Sequence, residues 1–314
     1  MPPFLSVIMP VYNAEAYLKE AVVSLLNQTF ADFELIMIND ASTDSSRQMA
    51  ERFAQADHRI RLLDNECSKG IAGALNTGLK HSRGMLIARA DSDDIYPQDR
   101  FQLQVDCLRR HPAIMITGGG YAPFKPDGTS RTILYPSNPV EIGWRFVSDT
   151  FFCHPSVMFR KKTYETYGGY PTVASEDYVF FSRIVRTHPC TNIRRVLVDY
   201  RETQTSLSTI NAARIAASVR AQFEDNFRFY GCAEEDADLF FNYQRCRPLK
   251  GPGEIIRVHR ANRRIISRIC KAYRFSPLDR RVVSWWIRIL AGYCFRRSPW
   301  QWIGWDSIFR SSKG

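Results

Sequence analysis

An apolar run, Met85-Leu86-Ile87-Ala88, gives way at Asp91-Ser92-Asp93-Asp94, and Pro97 then opens a helical pattern. A buried strand that ends in clustered carboxylates is a strong constraint on a fold, because like charges at that spacing repel one another. They are best tolerated where a hard divalent cation or the hydroxyls of a ligand fill the space between them. In an open α/β sheet the carboxyl ends of the strands are also where ligands bind. The competing reading is an acidic turn in which Asp94 merely caps the following helix.

The flanking sequence sets this strand in a repeating pattern. Leu5 to Met9 is a short apolar run, and Asn13 is suited to cap a helix whose inner face is Leu18, Val22, Leu25 and Leu26. Glu34 to Ile38 reads as a second strand, with Ser42 or Asp44 capping a helix that carries Met49, Ala50 and Phe53. Ile60 to Leu63 is a third, followed by a small-residue helix from Gly70 to His81. The acidic strand, Met85 to Ala90, leads to a helix from Pro97 to Arg110 and then to a strand at Ile114 to Thr117. Repeated β-α-β units with apolar strands predict a parallel sheet with helices on both faces.

Beyond Gly118 the pattern changes. Phe124 to Tyr135 reads as a hairpin or loop, Val140 to Ser148 as a helix, Ser156 to Arg160 as a strand and Gly168-Gly169 as a turn. Ser175-Glu176-Asp177 opens an apolar helix, and Val196 to Tyr200 is a last strand. From about Thr209 only helical patterns remain, broken at Gly231, at 248–253 and at Ser276-Pro277. We therefore expect two regions, residues 1–210 and 211–314.

The charge divides in the same place. Acidic and basic residues balance over the first 210 positions, so the net charge of +11 falls entirely in the last third. Between Glu254 and Phe275 the residues Ile255, Val258, Ile265, Ile266, Ile269 and Tyr273 recur at helical spacing among seven basic side chains. A further helix, Leu278 to Arg297, carries Trp285 and Trp286, and Trp300, Trp302 and Trp305 follow. Basic, Trp-bearing helices suit an anionic membrane surface; the alternative is packing on the first region or, in a homodimer, on a second subunit. No run is long enough to span a bilayer, the longest being interrupted at Arg288, and Phe4 to Met9 is too short for a signal peptide. Eight scattered cysteines without a C-x-x-C pair fit reduced thiols. The expectation is a cytoplasmic protein, peripheral at the inner face of the cell membrane.

Four polar features lie at or just beyond strand ends: Pro10-Val11-Tyr12-Asn13, Asn39-Asp40-Ala41-Ser42, Asn65 with Lys69-Gly70, and the Asp91 cluster. In a parallel sheet they converge on one rim. Pro10-Val11-Tyr12-Asn13, Asn39-Asp40-Ala41-Ser42-Thr43-Asp44, Arg89-Ala90-Asp91-Ser92-Asp93-Asp94 and Ser175-Glu176-Asp177 resemble the motifs of glycosyltransferase family two, inverting nucleotide-sugar transferases of the GT-A fold, over about Leu5 to Ser208. The likeness is to bacterial polysaccharide and lipopolysaccharide O-antigen transferases. It implies an α/β, Rossmann-like, mostly parallel sheet flanked by helices, with a C-terminal helical extension.

The resemblance also implies roles. Pro10, Val11, Tyr12 and Asn13 would line the nucleotide pocket, Asp40 would meet the base, and Asp91 with Ser92 would face the ribose or sugar. Asp93 would hold Mg²⁺ or Mn²⁺ against the donor diphosphate, with Lys69 and Arg201 close by. Asp177 would act as general base, while Glu176 and His154 would lie on the acceptor side. The donor would be a nucleotide sugar, a UDP-sugar foremost, and the acceptor a glycan or glycolipid hydroxyl. The sequence departs from the pattern at Leu75, where many relatives carry a basic residue. It also lacks the Gln-x-x-Arg-Trp motif of processive synthases, which favours addition of single sugars.

Two other classes compete with this reading. A nicotinamide-dependent oxidoreductase would carry Gly-x-Gly-x-x-Gly after the first strand, where Pro10-Val11-Tyr12-Asn13 stands instead. A nucleic-acid-binding protein could use the basic C-terminal region, but no recognised binding motif occurs there, so nucleic acid is not an expected partner.

Overall fold

The computed structural model describes residues 2–124, 131–202, 212–245 and 247–275. Contacts divide the chain into two compact units, the first ending at Gln222 and the second beginning at Phe223.

The first unit is built on a seven-stranded sheet. Its strands are β1 (Leu5–Val11), β2 (Phe33–Asn39), β3 (Ile60–Asp64), β4 (Leu86–Arg89), β5 (Ile116–Phe124), β6 (Met158–Arg160) and β7 (Thr191–Arg201), in the spatial order β3-β2-β1-β4-β6-β5-β7. All run the same way except β6, which pairs antiparallel with β4 and β5. Between them lie α1 (Leu18–Leu26), α2 (Ser46–Ala56), α3 (Ile71–His81), α4 (Arg100–Arg110), α5 (Pro139–Arg145), α6 (Lys161–Tyr167) and α7 (Glu176–Val185). Two apolar layers cover the sheet. One joins Val7, Met9, Leu35 and Ala88 to Leu18, Val22, Phe101 and Val105; the other joins Ile8, Ile36 and Ile87 to Leu75, Leu79, Phe180 and Phe181. Strands buried on both faces explain the unbroken apolar runs.

Several local expectations are corrected. Asn13 does not cap α1: it takes φ 47°, and its Oδ1 accepts the N–H of Thr43 at 2.8 Å, tying the end of β1 to the loop after β2. Asp94 is not the cap of α4 either. That position is Asp99, and Asp94 Oδ1 accepts the backbone N–H of Arg201 at 2.9 Å. The strand expected at Ile114 to Thr117 extends through Gly118-Gly119-Gly120 to Phe124. The glycines are there because neighbours press against them: a Cβ on Gly119 would stand 2.4 Å from Leu197 Cγ, and one on Gly120 would stand 2.5 Å from the Ile133 carbonyl. Helix α6 was not foreseen.

The second unit includes a one-turn helix, Glu234–Asp236, with α9 (Ala237–Gln244) and α10 (Pro252–Tyr273), and takes in the end of α8 (Ala212–Phe229). Within it Phe223 and Phe227 meet Phe241 and Phe240. The expected stripe on α10 is present and buried, with Val258, Ile265, Ile266, Ile269 and Tyr273 all inward. It is therefore packing surface, and what α10 offers to solvent is mainly basic, with Ile256 exposed near its start. Among the described residues no helix is long and apolar enough to cross a membrane. The Leu278 to Arg297 pattern, Ser276-Pro277 and the tryptophans after it, Ser206 and Ser208, and the centre of the 124–135 segment lie outside the described residues.

Candidate active site

The parallel strands deliver the four polar features to one rim. At the end of β1, Val11 is buried and its carbonyl accepts the N–H of Asp40 at 2.9 Å, so the two strand ends are stitched together. Pro10 precedes it within the strand, and Tyr12 beyond it is half exposed, with Lys69 Nζ 5.2 Å from its ring centroid. Tyr12 and Lys69, 57 positions apart in sequence, thus form one aromatic and cationic wall. Asp40 is buried, and its two oxygens accept from Asn65 Nδ2 at 2.7 Å and from Gly70 N–H at 2.8 Å. Gly70, at φ 111°, turns its N–H toward that carboxylate at the start of α3. Leu75 is buried in the core, away from the rim.

At the end of β4, Arg89 is buried and grips Asp91 with both terminal nitrogens, at 2.6 and 2.9 Å. Burial opposes the guanidinium charge, but the Asp91 carboxylate more than restores it. Ser92 sits in the same turn, and Tyr96 Oη bonds the backbone of Asp91, fixing the turn from below. One oxygen each of Asp91, Asp93 and Asp94 lies within 4.8 Å of the others. Burial, then the charge of Asp91, pushes Asp93 up to about 6. Burial, then Asp91 and Asp93, pushes Asp94 up to about 8. Asp94 Oδ2 is buried with no hydrogen-bond partner. An all-oxygen, mutually repelling set with an orphaned buried oxygen fits a hard divalent cation such as Mg²⁺ or Mn²⁺.

Arg201, at the end of β7, reaches this turn from the far edge of the sheet. Its Nε donates to the Asp93 carbonyl at 2.9 Å, a terminal nitrogen meets Glu20 at 2.6 Å, and its plane lies over Tyr17 and Phe124. In this arrangement it braces the acidic turn.

A second group stands near the first. Glu176 and Asp177 open α7, and His154 comes from a single 3-10 turn, His154–Ser156, just before β6. Burial, then Asp177, lifts Glu176 to about 7. Burial also raises Asp177, against the opposing pull of the Tyr178 N–H and Arg89. The imidazole of His154 is held neutral by burial and by Arg89. Arg89 feels Glu176 as well as Asp91, so one buried guanidinium acts on both acidic groups.

The structure thus brings the Asp91 cluster, Arg201, His154, Glu176 and Asp177 around Arg89, and gathers Tyr12, Asn13, Asp40 and Lys69 on the neighbouring rim. Sequence reasoning gave Arg89 no role, although a basic residue closing an apolar strand just ahead of an acidic cluster is a legible signal. It also missed Arg100, which is wholly buried. Arg100 donates to the Arg89 carbonyl at 2.7 Å, lies over Tyr96, and is pushed by burial down to about 10.

A family model described as Glycosyl transferase family 2 matches residues 6–168, more than half of the chain. EpsE of Bacillus subtilis (strain 168) is 38% identical over 172 residues, 54% of this chain and 61% of EpsE. The Escherichia coli protein WfgD, a UDP-Glc:alpha-D-GlcNAc-diphosphoundecaprenol beta-1,3-glucosyltransferase, is 42% identical over 106 residues, 34% of this chain and 41% of WfgD. The fold resembles that of Staphylococcus aureus TarS 1–349, solved in complex with UDP-GlcNAc: TM-score 0.62, 17% identity, 94% of this chain and 90% of that one. It also resembles the mannosyltransferase PcManGT of Pyrobaculum calidifontis, solved with GDP-Man and Mn²⁺: TM-score 0.54, 18% identity, 87% of this chain and 74% of that one.

Proposed function

The chain belongs to glycosyl transferase family 2, and from that premise we propose that it is an inverting glycosyltransferase moving a sugar from a nucleotide-sugar donor, a UDP-sugar foremost, to a hydroxyl of a polysaccharide or lipid-linked oligosaccharide. The observation that carries this reading is the pair of acidic groups that share the influence of Arg89, one suited to a cation and one to a proton. Asp93, with Asp91 and Asp94, would hold Mg²⁺ or Mn²⁺. When bound, such an ion neutralises the charge that builds on a departing diphosphate.

The chain's own residues do the rest. Tyr12 and Lys69 receive the base and its neighbouring charge, and Asp40 meets the base edge. Arg201 and Tyr96 keep the acidic turn in place. Asp177 takes the proton of the acceptor hydroxyl as that oxygen attacks the anomeric carbon on the face opposite the diphosphate. The new C–O bond forms as the bond to the diphosphate breaks, which inverts the centre. Burial keeps Asp177 basic enough for the task, because a base is most effective when it titrates near the working pH.

Asp177→Asn keeps the shape of the side chain but cannot accept the proton. Turnover should fall by roughly 10²-fold or more, with donor affinity little changed. A variant that loses donor binding and keeps its turnover would place Asp177 on the donor side. The donor itself is found by a thermal-shift screen of nucleotide sugars with and without Mn²⁺, since a ligand of the folded state raises its stability.

The exposed face of α10, with Arg260, Arg263 and Lys271, supports a second part of the reading: reversible docking on an anionic membrane, where a lipid-linked acceptor would be met. Co-sedimentation with anionic liposomes should weaken with salt and disappear when residues 254–314 are deleted. A full-length chain that ignores such liposomes at low salt would remove the membrane from the proposal and leave a homodimer contact to be tested.

A further inference from the structure

His154 lies where a substrate ligand would be expected, yet both of its nitrogens already face protein. Nδ1 is 3.8 Å from Glu176 Oε1 and 4.0 Å from Asp177 Oδ2, almost equidistant, and Nε2 is 3.2 Å from Tyr170 Oη. The ring lies tilted against Tyr170 and edge-on to Phe181, with centroids 5.4 and 5.5 Å away, so it has little freedom to turn. Tyr170 is fixed in turn by Asn76, whose side chain bonds both its N–H and its carbonyl at 2.8 Å.

A neutral imidazole carries one proton. On Nε2 it would leave a lone pair on Nδ1 facing two carboxylates. On Nδ1 it points between them, and Nε2 is free to accept the Tyr170 hydroxyl proton. The second arrangement lets Nε2 accept from Tyr170 and turns the Nδ1–H dipole toward both carboxylates, which at 3.8 and 4.0 Å lie beyond hydrogen-bond reach. An imidazolium is disfavoured here by burial first and then by the positive charge of Arg89.

We propose that His154 is a positioning residue: anchored by the Tyr170 hydroxyl, it holds its Nδ1–H dipole toward the Glu176–Asp177 pair and so favours the ionised form of Asp177. The proposal rests on the reading of Asp177 as base, but it is tested without turnover. The other groups facing Asp177 are Glu176 and the Tyr178 N–H on α7, Arg89 from β4, Asp149 after α5, and the phenols Tyr135 and Tyr170. All of these stay in place when His154 alone is changed.

The experiment is a pH titration of ¹³C-labelled Asp and Glu carboxyls by NMR in the full chain without ligand, with Asp177→Asn and Glu176→Gln assigning the two resonances. In His154→Phe the Asp177 carboxyl should titrate higher by roughly a few tenths of a pH unit, because a dipole that favours the charged form has been removed. In His154→Gln, whose amide N–H can replace Nδ1–H, it should return toward the wild-type value. Tyr170→Phe, which removes one oxygen and leaves the packing, should shift it in the same direction as His154→Phe and serves if that variant does not fold. An unchanged titration in the Phe variants overturns the proposal, and so does Mn²⁺ broadening of these two resonances that persists in Asp93→Ala, which would make the trio a cation site. Loss of turnover in Asp177→Asn is a separate measurement, so the base reading and the His154 reading stand or fall independently.

Discussion

The sharpest consequence of the acidic turn is that it should cost stability, and the cost can be read from pH. Asp94 is buried, its carboxyl is pushed up to about 8, and one of its oxygens has no partner. Between the unfolded value of 3.8 and about 8, the unfolded chain has released this proton and the folded chain has not, so stability falls as pH rises through that window. At about 1.4 kcal/mol per pH unit, the full displacement corresponds to on the order of 6 kcal/mol. Asp91 and Asp93 titrate with Asp94, so changing one member recovers only part, roughly 2–4 kcal/mol. Asp94→Asn retains the Oδ1 acceptor for the Arg201 N–H and removes the charge. In chelator, wild type and variant should unfold alike near pH 4. By pH 8.5 the variant should be the more stable, with Tm higher by roughly 5–10 °C. Adding Mn²⁺ at pH 8.5 should raise the wild-type Tm and leave the variant nearly unmoved. A gap that does not change with pH would refute the account of Asp94, and a Mn²⁺ response equal in both proteins would refute its place at the cation site.

Three further outcomes follow from other parts of the sheet. Glu34 is buried beside the start of β4 and accepts from Ser6 Oγ, the Arg83 N–H and side chain, and Arg61; burial works against its charge, but these donors outweigh it and hold the carboxyl below its usual range. Glu34→Gln should therefore cost about 1–3 kcal/mol in denaturant unfolding near pH 7. The contribution is present above the unfolded value near 4.5 and disappears as pH falls through the folded value, so equal stabilities at neutral pH would contradict it. Gly119→Ala forces a methyl against buried Leu197 and should destabilise by about 1–3 kcal/mol; a neutral result would mean that β5 and β7 separate without strain. Tyr12→Ala removes the aromatic wall under Lys69 and should weaken nucleotide-sugar binding by about tenfold in calorimetry with Tm unchanged, as loss of a stacked base contact does.

Local periodicity carried much of the architecture. The runs at β1, β2 and β4 are legible because those strands are buried on both faces, whereas β3 at the sheet edge is only partly buried. Since those strands run parallel, placing Tyr12, Asp40, Lys69 and Asp91 at strand ends also placed them on one rim. Glu176 and Asp177 were legible as charges opening an apolar helix. Other features depended on partners far away in the chain. Asp94 is held by Arg201, 107 positions on, and its apparent capping role vanished once that contact existed. The glycine triplet is strand because Leu197 and Ile133 press on it, although glycine weakens a strand taken alone. The stripe on α10 gave the helix but not what covers it, and the fold turned it inward. Arg89, Arg100 and His154 acquire their character from burial beside charges on other elements. Spacing along a chain encodes which face a residue shares with its neighbours, whereas desolvation and like-charge repulsion arise only when distant segments close around a group.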